Sequence, residues 1–263
     1  MSRPSTEGSV RALLVVAGVL AVTSEAWAVD PFEIQVYDGT VNPSGTPGIE
    51  LHVNSVISGR QDAVPPELPP NHQTHFTAEP SIGITDWWEV GGYLQTTLRA
   101  DGTFDYAGNK LRTKLVWPPR GDSPFRWGVN LEISRLPQQY DRNRWGGEIR
   151  PIATWTSRGG KIFVSFNPIV DLSLAGQGRS DMPSFEPATT ACYVIEGLMS
   201  VGFEYYADLG PFGRWLPPSE EEHYVFEVIN VLRWKRWEVN IGAGEGLTQA
   251  SNRFVGKMIL GFK

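Results

Sequence analysis

The sequence predicts an all-β protein, a single antiparallel up-and-down transmembrane β-barrel of about twelve strands. Three observations carry this. Apolar and polar residues alternate with period two along most of the chain. The connections between the alternating runs are long and short in turn. The tryptophans gather beside the short connections.

The stretch FRWGVNLEIS, residues 125–134, shows the alternation most fully. Phe125, Trp127, Val129, Leu131 and Ile133 stand on one side, and Arg126, Gly128, Asn130, Glu132 and Ser134 on the other. In a soluble sandwich the apolar side would be buried. In an outer-membrane barrel it faces lipid, and the polar side faces a lumen. The composition fits the second geometry. The chain has 263 residues with 10 Trp and 28 Gly, 41% hydrophobic and 20% charged. After the N-terminus no apolar run is long enough for a membrane helix, which excludes a helical membrane protein. A net charge of −6 argues against a nucleic-acid partner.

The N-terminus reads as an address. Arg3 and Arg11 precede the short apolar run ALLVVAGVLAV, and Ala26-Trp27-Ala28 supplies a small-x-small cleavage site. Residues 1–28 are therefore expected to be a secretory signal peptide, with the mature chain starting near Val29. Residues 29–47 come next. Phe32, Ile34 and Val36 alternate, so this segment is an extra strand, a plug in the lumen or a periplasmic extension; the residues do not choose among these. Residues 48–263 form the barrel.

Twelve strands are expected, near 48–58, 73–84, 87–99, 109–117, 125–135, 144–156, 161–173, 184–193, 197–207, 222–233, 237–244 and 253–262. In the first, Ile49, Leu51 and Val53 oppose Glu50, His52 and Asn54. In the second, Phe76, Ala78, Pro80, Ile82 and Ile84 oppose Thr77, Glu79 and Ser81. In the fourth, Leu111, Thr113, Leu115 and Trp117 oppose Lys110, Arg112 and Lys114. Ile162, Val164, Phe166, Pro168 and Val170 oppose Ser165, Asn167 and Asp171 in the seventh, and Trp237, Val239 and Ile241 oppose Glu238 and Asn240 in the eleventh.

The connections sort by length. GRQDAVPPELPPN is followed by Thr85-Asp86, ADGTFDYAGN by PPRGDSP, and AGQGRSDMPS by Ile195-Glu196. Long loops outside and tight turns in the periplasm are the habit of outer-membrane barrels. Trp87, Trp88, Trp117, Trp127, Trp155, Trp234 and Trp237 fall beside the short turns, forming a girdle at one membrane interface. The last strand, FVGKMILGFK, places Phe254, Met258, Leu260 and Phe262 on one face. It resembles the terminal signal read by the barrel-assembly machinery, with Lys263 following the aromatic.

Taken together, HFTAEPSIGITDWWEVGGYLQTTLRADG, GNKLRTKLVWP, GVNLEIS, EIRPI, FNPIVD and GAGEGLT resemble bacterial outer-membrane β-barrel transporters related to the meta-pathway phenol-degradation group. The resemblance spans roughly residues 32–263. It implies a barrel and the passage of small molecules, apolar or aromatic ones included. It implies no particular binding residue.

The expected lumen-facing charges are Glu79, Glu89, Lys110, Arg112, Lys114, Arg126, Glu132, Glu148, Arg150 and Glu227, together with Glu50, Asp171, Glu204 and Glu238. Isolated charges there would be costly, so they should pair or stay wet. Simple turn registers set Lys110 opposite Glu132 and Glu132 opposite Glu148, with Arg150 diagonal. A Lys110–Glu132–Glu148–Arg150 network is the expectation. It would either line a selective channel, with Lys110, Arg112 and Lys114 as a basic ladder, or stiffen a closed barrel.

The residues give no catalytic or metal site and no cofactor. The four histidines are His52, His72, His75 and His223. No G-x-S-x-G occurs. Ser55 falls on the opposite strand face from His52, and His72 and His75 share no face. GAGEGLT lacks the lysine and helix of a phosphate loop. Cys192 reads as a structural thiol. The leading reading is therefore an outer-membrane barrel that passes small molecules, with outer-membrane lipid and the barrel-assembly machinery as partners and the substrate open. A structural barrel without transport, a barrel-embedded lipid hydrolase and a soluble periplasmic barrel are the alternatives.

Overall fold

A computed structural model describes residues 30–262 apart from 64, 120, 177, 178 and 235. The expected signal peptide lies outside the described residues. Twelve strands run Pro47–Ser58 (β1), Thr74–Thr85 (β2), Trp88–Leu98 (β3), Phe104–Trp117 (β4), Phe125–Arg135 (β5), Trp145–Thr156 (β6), Ile162–Ala175 (β7), Ser184–Ile195 (β8), Met199–Asp208 (β9), Glu222–Val231 (β10), Trp237–Gly246 (β11) and Phe254–Phe262 (β12). Each pairs antiparallel with its chain neighbours, and β12 closes on β1.

Alternation puts one residue set outside and the other inside. Large apolar side chains cover the outer wall: Leu111 is 63% exposed, Phe203 58% and Ile241 50%. A belt of this breadth suits lipid and not water. Trp87, Trp117, Trp127, Trp155, Trp234 and Trp237 are exposed on that wall at the end carrying the tight turns, and Trp88 donates there to Thr113 Oγ1 at 2.8 Å. That end is called lower below. Loops 59–73 and 209–221 lie at the opposite, upper end.

The connections depart from the expected lengths at β4, which starts at Phe104 and not at 109. Gly108, at φ 133°, takes up a bulge against Gln95 and Thr96, so Phe104 and Tyr106 continue the outer wall. Bulges let a strand absorb an extra residue without losing its face.

β10 corrects a second expectation. Glu227 does not line the lumen. It is exposed on the outer wall, in register with Phe203 and Ala243. Tyr224, Phe226 and Val228 take the inward positions instead. Gly244 on β11 makes room for this: a Cβ there would lie 2.3 Å from the Phe226 ring. A carboxylate midway along a lipid-facing strand is unfavourable. Glu227→Leu should therefore raise the unfolding free energy in lipid vesicles by about 1 kcal/mol, measured by urea titration. An unchanged or lower value would mean that the carboxylate has a partner in the membrane.

Candidate functional site: a lumen filled by the N-terminal segment

Residues 30–42 run inside the barrel, and residues 43–46 emerge at its lower end to lead into β1. The segment is neither an extra strand of the wall nor a periplasmic extension. Phe32, Glu33, Ile34, Tyr37 and Asn42 are all buried. At the lower end Ser44 bridges Gly83 of β2 in parallel, and Gly45 N–H donates to the Gly83 carbonyl at 2.8 Å. Only glycine fits at 83, since a Cβ would lie 2.2 Å from the Asn42 carbonyl oxygen.

The segment's two faces match two different walls. Ile34 packs among Ile169, Ala188, Cys192, Tyr206, Tyr224, Phe226, Val228 and Val255, the apolar wall contributed by β7–β10 and β12. Phe32 sits among Ala107, Leu136 and Tyr140, with its ring 4.6 Å from that of His75. Leu68 of the β1–β2 loop packs on this cluster, closing it from above. The opposite face of the segment meets the charged wall. The Tyr37 hydroxyl donates to Glu33 Oε1 at 2.7 Å and lies 2.8 Å from the Tyr93 hydroxyl. Arg150 and Lys114 lie over the Tyr37 ring, 4.6 and 4.9 Å from its centre.

The wall also satisfies the segment's backbone. Asn167 accepts from Tyr37 N–H at 2.7 Å and donates to the Tyr37 carbonyl at 3.0 Å. Arg150 donates to the Gln35 carbonyl, Lys257 to that of Ile34 and Thr154 to that of Asp38, at 3.2, 3.0 and 2.8 Å. Arg126 donates to the Asp38 carbonyl at 3.4 Å. Glu89 accepts from Asn42 N–H at 2.6 Å.

The expected four-residue network is reorganised around this segment. Lys110 stands opposite Ser134, and Arg112 opposite Glu132, a slip of two residues from the simple register. The slip follows from pairing that begins at Trp117–Trp127, which turn length alone does not specify. Lys110 still reaches Glu132 diagonally at 3.4 Å. Glu132 does face Glu148, and Arg150 is diagonal to Glu132, opposite Asn130. Arg150 holds Glu148 with two bonds, at 2.6 and 2.9 Å. The two pairs meet through Glu33, 3.8 Å from Lys110 and 3.7 Å from Arg150. Asp30 also pairs with Lys110. Glu33 and Asp30 were missed because the sequence left their segment unassigned.

Arg112 and Lys114 do not face an acidic wall across an open lumen. Arg112 binds Glu89 on the neighbouring β3 at 2.8 Å and, one strand further, Glu79 on β2 at 2.5 Å; Lys114 binds Glu89 at 3.2 Å. Lys257 is a further missed lumen charge, paired with Glu204. Its parity, opposite to Met258 and Leu260, was the available signal.

Two cavities flank the segment. The upper, about 150 Å³, is lined by Asp30, Lys110, Asp141, Glu148, Asp171 and Glu186 among others. The lower, about 90 Å³, is lined by Gln35, Tyr37, Glu50, Lys114, Glu204 and Glu238 among others. Asp141 is in the β5–β6 loop. Burial pushes its carboxyl up to about 6, against the Asn143 N–H that donates to it at 2.7 Å. Its folded value exceeds its unfolded one. Its contribution to stability is therefore complete below about pH 4 and is lost as pH rises through about 6. Asp141→Asn should flatten the fall in unfolding midpoint across that window; an unaltered pH profile would assign the fall to other groups.

No known protein family and no curated protein matches the sequence. Solved structures do match the fold. An outer membrane channel from Pseudomonas putida F1 aligns over 88% of this chain and 99% of its own, with TM-score 0.62 and 11% identity. The KdgM porin aligns over 82% and 98%, with TM-score 0.54 and 8% identity. The NanC porin aligns over 83% and 100%, with TM-score 0.52 and 10% identity. The fold of this chain is thus that of outer-membrane β-barrels.

Proposed function

We propose that the protein is an outer-membrane channel for small molecules whose lumen is closed at rest by residues 30–42. One observation carries the reading. The segment lies between two cavities and, beyond the Phe32 and Ile34 anchors and the Asp30 and Glu33 ion pairs, is held by side chains of the wall bonded to its backbone. Water can replace such bonds one by one, so their net worth is modest, about 0.5–1.5 kcal/mol each.

The walls define the solute. With the segment displaced, the Tyr206, Tyr224, Phe226 and Val228 stripe would face the Lys110, Arg112 and Lys114 ladder across the lumen. An apolar or aromatic body carrying a polar group fits such a pair of surfaces. The kinship with phenol-degradation transporters, the place in the outer membrane and export by a cleaved signal peptide all belong to this proposal.

Planar-bilayer recording of Asn167→Ala tests it. The change removes both bonds to the Tyr37 backbone, so the open fraction should rise roughly tenfold over wild type. Wild-type protein that conducts steadily, or a folded variant that never opens, would count against a closed, displaceable segment.

A further inference from the structure

The inward faces of β1 and β2 set two glutamates directly opposite each other, Glu50 and Glu79. Like charges in that position repel. His52, the next inward residue on β1, completes a tight group. Its Nε2 lies 3.2 Å from Glu79 Oε2 and 3.8 Å from Glu50 Oε2, and the three atoms all fall within 4.8 Å of one another. A single ring N–H can donate to only one of the two carboxylates. Arg112 leaves this side open, because it holds Glu79 through the other oxygen, Oε1.

The N-terminal segment brings a fourth group. Gln35 Nε2 donates to Glu50 Oε2 at 3.2 Å. Gln35 Oε1 is buried with no hydrogen-bond partner among the described residues. Turning the amide about its last bond puts that oxygen beside the Glu50 carboxylate, an arrangement that a cation between them favours.

We propose that Glu50, His52, Glu79 and Gln35 form a site for a first-row divalent metal ion of the zinc class, and that the ion latches the N-terminal segment to the barrel wall. The spacing suits it. Tetrahedral zinc with bonds of about 2.0–2.2 Å sets its ligand atoms roughly 3.3 Å apart. One imidazole nitrogen with oxygen donors suits zinc, cobalt or manganese better than a soft ion. The lower cavity, lined by Gln35 and Glu50, gives the ion a way in. The latch rests on the closed-lumen reading; the site itself does not. Because Gln35 moves with the segment, metal and closure reinforce each other, and each strengthens the other by the same factor.

The test begins with the folded, chelator-treated barrel in detergent, titrated with Co²⁺ and followed by visible absorption, then displaced with Zn²⁺. One Co²⁺ per chain is expected. His52→Ala and Glu50→Gln, each checked for folding by the shifted unboiled gel band, should weaken binding by about 100-fold or more. Absent binding at millimolar Co²⁺, or binding unchanged in both variants, overturns the site. In bilayers, Zn²⁺ should suppress the openings of Asn167→Ala but not those of Asn167→Ala/His52→Ala. Equal suppression of both overturns the latch. Loss of Co²⁺ binding with openings intact rejects the metal site alone; silent bilayers with Co²⁺ bound reject the channel reading and with it the latch, leaving the site.

Discussion

A variant lacking residues 30–43 should form a continuously open pore. Ser44, Gly45 and Thr46 stay in place, so the lower anchor to Gly83 and the start of β1 are kept. The barrel closes through the pairing of the twelve strands with their neighbours, β12 with β1 included, so closure does not need residues 30–43. What is lost is the material between the two cavities. Charges left behind keep partners on the wall: Arg112 has Glu79 and Glu89, Lys110 has Glu132, and Arg150 has Glu148. Phe32 and Ile34 each contribute about 1.5–3 kcal/mol of apolar burial to docking, so point changes should open the pore only in part, whereas deletion removes every contact at once. The measurement is single-channel recording beside liposome swelling. A deletion variant with the native shifted gel band and no conductance would show that side chains alone close the lumen, and the channel reading would fall.

Arg112→Leu should cost about 3–5 kcal/mol of stability. Arg112 is 5% exposed, and its guanidinium lies between two buried carboxylates on two strands. Removing it leaves Glu79 with His52, and Glu89 with Lys114 and the Asn42 amide. Neither substitute reproduces the geometry of a planar fork bridging β2 and β3. Lys114→Leu is the control. Lys114 pairs with one carboxylate, Glu89 at 3.2 Å, and lies over the Tyr37 ring from a wetter position, so its loss should cost clearly less. Urea unfolding in lipid vesicles measures both. Equal losses would mean that Arg112 acts as bulk charge and not as a bridge.

The amino-acid sequence by itself determined the wall of this protein. Strict alternation in segments such as Phe125–Arg135 assigns each residue a face, because a strand has a period of two and lipid and lumen demand opposite chemistry. That argument placed twelve strands, the outward tryptophans and most of the inward charges. It failed at Glu227, where the rule that polar residues face inward met a strand whose inward side is Tyr224, Phe226 and Val228. Alternation reports that two faces differ, and it does not say which face is which when the lumen itself has an apolar side. The tertiary structure alone decided what fills the lumen. Ile34 faces Phe226, Glu33 sits between Lys110 and Arg150, and Gln35 reaches Glu50, across separations in the chain that no local pattern records. Those contacts depend on barrel closure, which brings β1 against β12 and sets every inward side chain around one enclosed axis.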